Sequence, residues 1–172
     1  MLEFGNTIRT LLVLVNEGLR PMPLVPGSPF ECRQLEDLRS KSIPELFRGA
    51  TISSMSDAKC VHAGLYLYFS ALDESHTISQ TIHTPSGSYW HGIMHRQEGD
   101  WSNARYWFRR TGSHPVFSAL EEETGKAWDP FDFVDLCAKD SARQAQRGSL
   151  VRLQMAEWRL LMAHCYRGAV GG

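Results

Sequence analysis

His91, His95 and Glu98 stand at spacings of four and three in the stretch SYWHGIMHRQEGD, Ser88 to Asp100. On a helix turning about 100° per residue they fall within an arc of roughly 60°, so two imidazoles and a carboxylate share one face. Neutral imidazole nitrogen and carboxylate oxygen are the donors of zinc, iron and manganese sites, and an open coordination position there activates water for hydrolytic or oxidative chemistry. His76 is a further ligand candidate; His83 shares its helical face, Asp73 lies one turn before it, and His114 follows the next helix. On the metal reading the ligands are His76, His91, His95 and Glu98. Asp73, Glu74 and His76 could also supply a general acid or base, although first-turn acids equally serve as cap and dipole partner. Packing competes with all of this. The pair HxxxH lacks the intervening Glu of the metalloprotease pattern, the Glu-x-x-His pairs of di-iron bundles are missing, and imidazoles often act as hydrogen-bonded core groups.

The elements that must position these residues are helices, and nearly every segment carries helix punctuation. Asn6 is expected to cap a helix through TIRTLLVLVNEG to Gly18, after which PMPLVPGSP holds too many prolines for helix or central strand and reads as an extended strap. Phe30, Leu35 and Leu38 predict a short helix, and Ser42-Ile-Pro-Glu45 has the capping-box pattern. AKCVHAGLYLYFSAL reads as a buried helix, with a strand as second choice because LYLYFS alternates. Asp73 starts the next helix, Thr84-Pro85 stops it or opens another, Gly99-Asp100 breaks the histidine segment into two helices, and Gly112 ends the second. Pro115 to Gly125 and Asp129-Pro130 onward predict two more. In the last helix Val151, Met155, Trp158, Met162 and Cys165 form one stripe, with Gly168 expected to end it.

An offset of 29 residues lays Val61–His76 over Trp90–Arg105 and matches His62 to His91 and Ala63 to Gly92, as stacked two-helix units would. In the second unit Gly92, Gly99-Asp100-Trp101, Ala104, Phe108 and Pro115 resemble the pattern of a tetratricopeptide repeat, with Pro115 one residue early. The resemblance covers about 88–115. It implies a close-packed helical hairpin, with His91 and His95 beside Gly92 against the partner helix and Tyr89, Ile93, Arg96 and Gln97 turned to a groove for ligands. DESHTISQ, GSYWHGIMHR, EGDWSNARYWFRR and HPVF are also similar to wording in a group of small uncharacterised proteins, a likeness that implies a common central unit and no particular chemistry.

At 172 residues with 42% hydrophobic and 22% charged residues, the chain is expected to form one soluble all-α domain of antiparallel helical hairpins, tetratricopeptide-like in its central region. Residues 1–50 would supply N-terminal helices and the strap, 57–115 the central hairpins, and 116–172 the C-terminal helices. A net charge of -1 argues against nucleic acid as partner, even with aromatics clustered around Trp101 and Trp107. Arg105, Arg109 and Arg110 could clamp an anion or pair with the acidic stretch 121–140. Four scattered cysteines without a CxxC pair point to a reduced, cytoplasmic protein, and the apolar run after Arg9 is too short for a signal peptide or a span. No GxSxG elbow or activated cysteine supports nucleophilic catalysis. The first functional expectation is a module binding a peptide, protein or small anionic ligand at Tyr89, Ile93, Arg96 and Gln97; the alternative is a small metal-dependent enzyme.

Overall fold

The structure, a computed structural model, describes residues 4–12, 19–143 and 147–172. Ten helices and no strand are found among the described residues: α1 Asn6–Leu12, α2 Arg33–Ser40, α3 Ile43–Leu46, α4 Met55–Tyr68, α5 Leu72–Ser79, α6 Pro85–Glu98, α7 Trp101–Thr111, α8 Pro115–Thr124, α9 Pro130–Arg143 and α10 Arg147–Val170. None of them is long and apolar enough to cross a membrane. The expected continuation of α1 to Gly18 lies outside the described residues.

Local chemistry explains most of the boundaries. Ser42 and Glu45 form the reciprocal capping box of α3, with Pro44 in its first turn. Thr84 Oγ1 accepts from the Gly87 N–H at 3.1 Å and Pro85 occupies the first turn of α6. That helix ends at Gly99, whose φ of 84° places it in the left-handed region that favours glycine, and the next residue, Asp100, accepts from Asn103 N–H at 3.0 Å to start α7. Phe30 is not part of α2; it is exposed before it. Gly168 does not stop α10, which runs on to Val170. Its missing side chain serves packing instead, because a Cβ there would lie 2.7 Å from Asp57 Oδ2 on α4.

Helices α4 and α6 are the interior of the molecule. Helix α4 buries Ala58, Cys60, Val61 and every residue from Ala63 to Tyr68, as expected of a segment apolar nearly all round, which settles helix over strand. Around it pack α5, α6 and α10, while α7 lies along α6 as a hairpin. The α4–α10 seam is tight. A Cβ on Gly64 would meet Met162 Sδ at 2.5 Å and the Trp90 ring at 2.8 Å, and Trp158 Nε1 donates to the Gly64 carbonyl at 2.8 Å. Gly64→Ala should therefore lower stability by about 1–3 kcal/mol in urea unfolding, the range for overpacking a filled core; a change below about 0.5 kcal/mol would mean that the seam yields.

The proline-rich strap behaves as expected. Arg20 N–H donates to the Tyr68 hydroxyl at 2.7 Å, the buried Met22 lies on the core, and Gln154 Nε2 on α10 donates to the carbonyls of Met22 at 3.2 Å and Pro23 at 3.0 Å. One apolar core joins residues from Phe4 to Ala169.

Helix α6 differs from α4 in what it buries. Every residue from Ser86 to Gln97 is buried, and these include Ser86, Ser88, His91, His95, Arg96 and Gln97. A polar side chain taken from water costs about 1–3 kcal/mol unless it gains a partner. The partners of α6 therefore show which of its polar groups are structural.

Candidate metal centre

Arg96 and Glu157 answer for each other. Both side chains are 0% exposed; Arg96 Nη1 donates to Glu157 Oε1 at 3.1 Å and Nη2 donates to Oε2, giving a two-pronged bridge from α6 to α10. Burial works against the charge on Arg96, and the attraction and hydrogen bonds of Glu157 outweigh it, so the guanidinium stays protonated. The cation also lies 4.3 Å from the Phe133 ring centre on α9. Tyr89 and Ile93 are fully buried and Gln97 is 1% exposed on the same flank. These four residues therefore line no surface groove. The expectation that Tyr89, Ile93, Arg96 and Gln97 form an exposed binding face is corrected: all four are buried, Arg96 against Phe133 of α9 and Glu157 of α10, and Tyr89 against Phe108, His114 and Phe117.

His114 is likewise spent on structure. Its Nδ1 accepts from the Val116 N–H at 3.2 Å to cap α8, which puts the ring proton on Nε2 for donation to Ser86 Oγ at 3.1 Å. Burial, aided by His164, lowers its pKa to about 4. Burial alone does the same to His62, also to about 4. Unfolded histidines take up protons near pH 6.5. In the metal-free protein the stability held by these two neutral rings is thus complete above about pH 6.5 and is lost as pH falls toward 4, where the unfolded state binds more protons. Between pH 7.5 and 5.0, with chelator present, these two rings should lower the free energy of unfolding by about 4 kcal/mol. Comparison of urea midpoints checks this, and His114→Asn, which keeps a capping acceptor, should flatten the slope.

Three further histidines of the central region, His76, His91 and His95, converge. His76 on α5 faces His91 and His95 on α6, with ring centres 4.8 Å and 5.3 Å away, and His91 and His95 lie stacked at 4.9 Å. One nitrogen from each ring can be chosen so that all three lie within 4.8 Å of one another. Trp107 of α7 closes the far side, stacked on His91 at 3.8 Å with the rings 15° from parallel. His95 Nδ1 is 2.9 Å from Glu98 Oε2, so a proton on Nδ1 is held by the carboxylate and the Nε2 lone pair remains available. His76 is half-buried and Glu98 is exposed, so the cluster reaches solvent on their side.

His91 is the exception among the buried polar groups of this cluster. It is 2% exposed, yet neither Nδ1 nor Nε2 has a hydrogen-bond partner. Burial first, and then the neighbouring His95 and His76, lower its pKa to about 3. The ring is neutral at physiological pH, which is the ligating form. Tetrahedral coordination at about 2.0–2.1 Å places ligand nitrogens roughly 3.3 Å apart, so closing this cluster on an ion takes side-chain shifts of about an ångström.

The other expected candidates do not join it. His83 is exposed in the turn before α6, and Asp73 is exposed in the first turn of α5. Arg105 pairs with Asp135 of the acidic stretch, while the Arg110 guanidinium lies 5.4 Å from the Trp107 ring centre. A cleft of about 520 Å³ beside Trp128, Phe133, Leu150 and Leu153 is lined by none of the histidines. Trp107 as the wall of the centre was not anticipated, since an aromatic in a helix signals core wherever it stands.

Compared with known proteins, the chain matches no family model, no curated protein and no solved structure. What the centre can do follows from its donors: three imidazoles, one oriented by a carboxylate, with an opening to solvent.

Proposed function

We propose that the protein is a metal-dependent hydrolase that binds a divalent ion, zinc before iron or manganese, through His76, His91 and His95. The observation that carries this reading is His91, buried with both nitrogens unpartnered between two other imidazoles. A packing histidine in that position would leave polar atoms uncompensated, whereas an ion uses one of them. Three nitrogen ligands leave a fourth position toward the solvent side of His76 and Glu98, the pattern of catalytic rather than structural zinc. When bound, such an ion supplies Lewis acidity and a water with a pKa near about 7. Glu98, bonded to His95 Nδ1, would orient that ring with Nε2 toward the ion. Arg110, exposed beside Trp107, offers donors to an anionic group of the substrate, the role that the buried Arg96 does not serve.

Gly92 pressed against Phe108, with a Cβ predicted at 2.9 Å from its ring, supports a tetratricopeptide-like α6–α7 hairpin as the frame of the centre. The four free cysteines suit a reducing compartment such as the cytoplasm.

Glu98→Gln tests the reading. It is expected to weaken zinc binding about 10–100-fold in competition with a chromophoric chelator, as loss of a carboxylate behind a ligating histidine does, with unchanged helicity and apo stability because Glu98 is exposed. Equal zinc affinity in both proteins would remove Glu98 from the site.

A further inference from the structure

We propose that Asp57, Cys60 and Cys165 form a second metal site, selective for thiophilic divalent ions such as zinc or cadmium, at the seam of α4 and α10. Asp57 and Cys60 are one turn apart on α4, Cys165 reaches them from α10, and one donor atom from each lies within 4.8 Å of the others. Two sulfurs on a tetrahedral zinc, each at about 2.3 Å, stand roughly 3.8 Å apart, so ligand atoms within 4.8 Å of one another close on an ion with side-chain shifts of about an ångström. Cys60 and Cys165 are both fully buried.

Two further features point to a cation. The Asp57 carboxylate is half-buried and makes no side-chain hydrogen bond or ion pair within the described residues, although His164 stands near it. Gly168 lies opposite, where any Cβ would meet Asp57 Oδ2 at 2.7 Å, so the carboxylate sits in a space held open by a glycine inside a continuous helix. A helix-interior glycine costs about 1 kcal/mol relative to alanine, and here it leaves an acid beside two thiols.

Loading balances as one divalent ion plus two thiols giving a dithiolate complex and two released protons; Asp57 contributes a carboxylate oxygen. The site would pin the end of α10 to the start of α4, remote in sequence from the histidine centre and independent of it.

Cobalt titration of the full chain under reducing conditions, followed by absorption, separates the two. Thiolate ligation adds an intense near-ultraviolet charge-transfer band that histidine ligation lacks. The wild type is expected to show this band, with release of two protons per ion at that site. Cys165→Ser and Asp57→Asn should each weaken it at least tenfold while leaving the visible band of the histidine centre unchanged. A thiolate band without a histidine-type band would uphold this site and remove the proposed hydrolase centre. No charge-transfer band in folded wild type, or a band that persists in Cys165→Ser, would overturn the proposal; Asp57→Asn, which leaves the buried sulfurs alone, decides the matter if Cys165→Ser does not fold.

Discussion

Glu157→Ala is expected to cost about 3–5 kcal/mol of stability, the largest effect of any single substitution considered, because it strands the Arg96 cation where no water reaches it. The magnitude rests on geometry: both groups are 0% exposed, and the two hydrogen bonds between them leave only Arg96 Nε without a partner. Against the total of about 5–15 kcal/mol typical of a folded domain, that loss leaves a marginal protein. Urea unfolding should show a large fall in midpoint without change of slope. The double substitution Arg96→Met/Glu157→Leu should recover most of it, since removing both charges removes the stranded ion as well. A single-variant loss below about 1 kcal/mol would mean that water enters between α6 and α10.

The second large effect concerns zinc. Structural zinc sites with four ligands contribute apparent binding energies of about 10–16 kcal/mol, roughly 2.5–4 kcal/mol per ligand. His91→Ala/His95→Ala removes two of three ligands and should weaken binding by about 10⁴-fold or more. Saturating zinc at a hundred times its dissociation constant stabilises the wild type by about 2.7 kcal/mol. For a domain of this size that corresponds to a rise in Tm of about 5–10 °C from the histidine centre, an increment that the double variant should lack.

What could be read from residue order was whatever short-range physics decides. The Ser42–Glu45 box, Thr84-Pro85 opening α6, the left-handed Gly99 and the Asp100 cap each involve groups no more than a few residues apart, and all stand where expected. The shared face of His91, His95 and Glu98 follows from helix geometry in the same way. Two features needed tertiary information. His76 joins the pair only because α5 packs along α6, and the burial of Tyr89, Ile93, Arg96 and Gln97 involves contacts distant in sequence, among them Arg96 with Phe133 of α9 and Glu157 of α10. Arg96 misled for a physical reason: an arginine on a helix ordinarily faces water, and its partner Glu157 lies 61 residues away. Gly168 misled similarly, since a glycine near a helix end reads as a stop unless a neighbour such as Asp57 occupies its empty side.

The most direct test is metal content. Untagged protein purified without chelator is analysed by mass spectrometry beside His91→Ala/His95→Ala, with circular dichroism to establish that both are folded. The account predicts a stoichiometric transition metal at the histidine centre of the wild type, zinc foremost, and loss of one equivalent in the folded double variant. The same metal content in both proteins, or none in either together with a double variant that is markedly destabilised, would contradict it and make His91 and His95 packing groups.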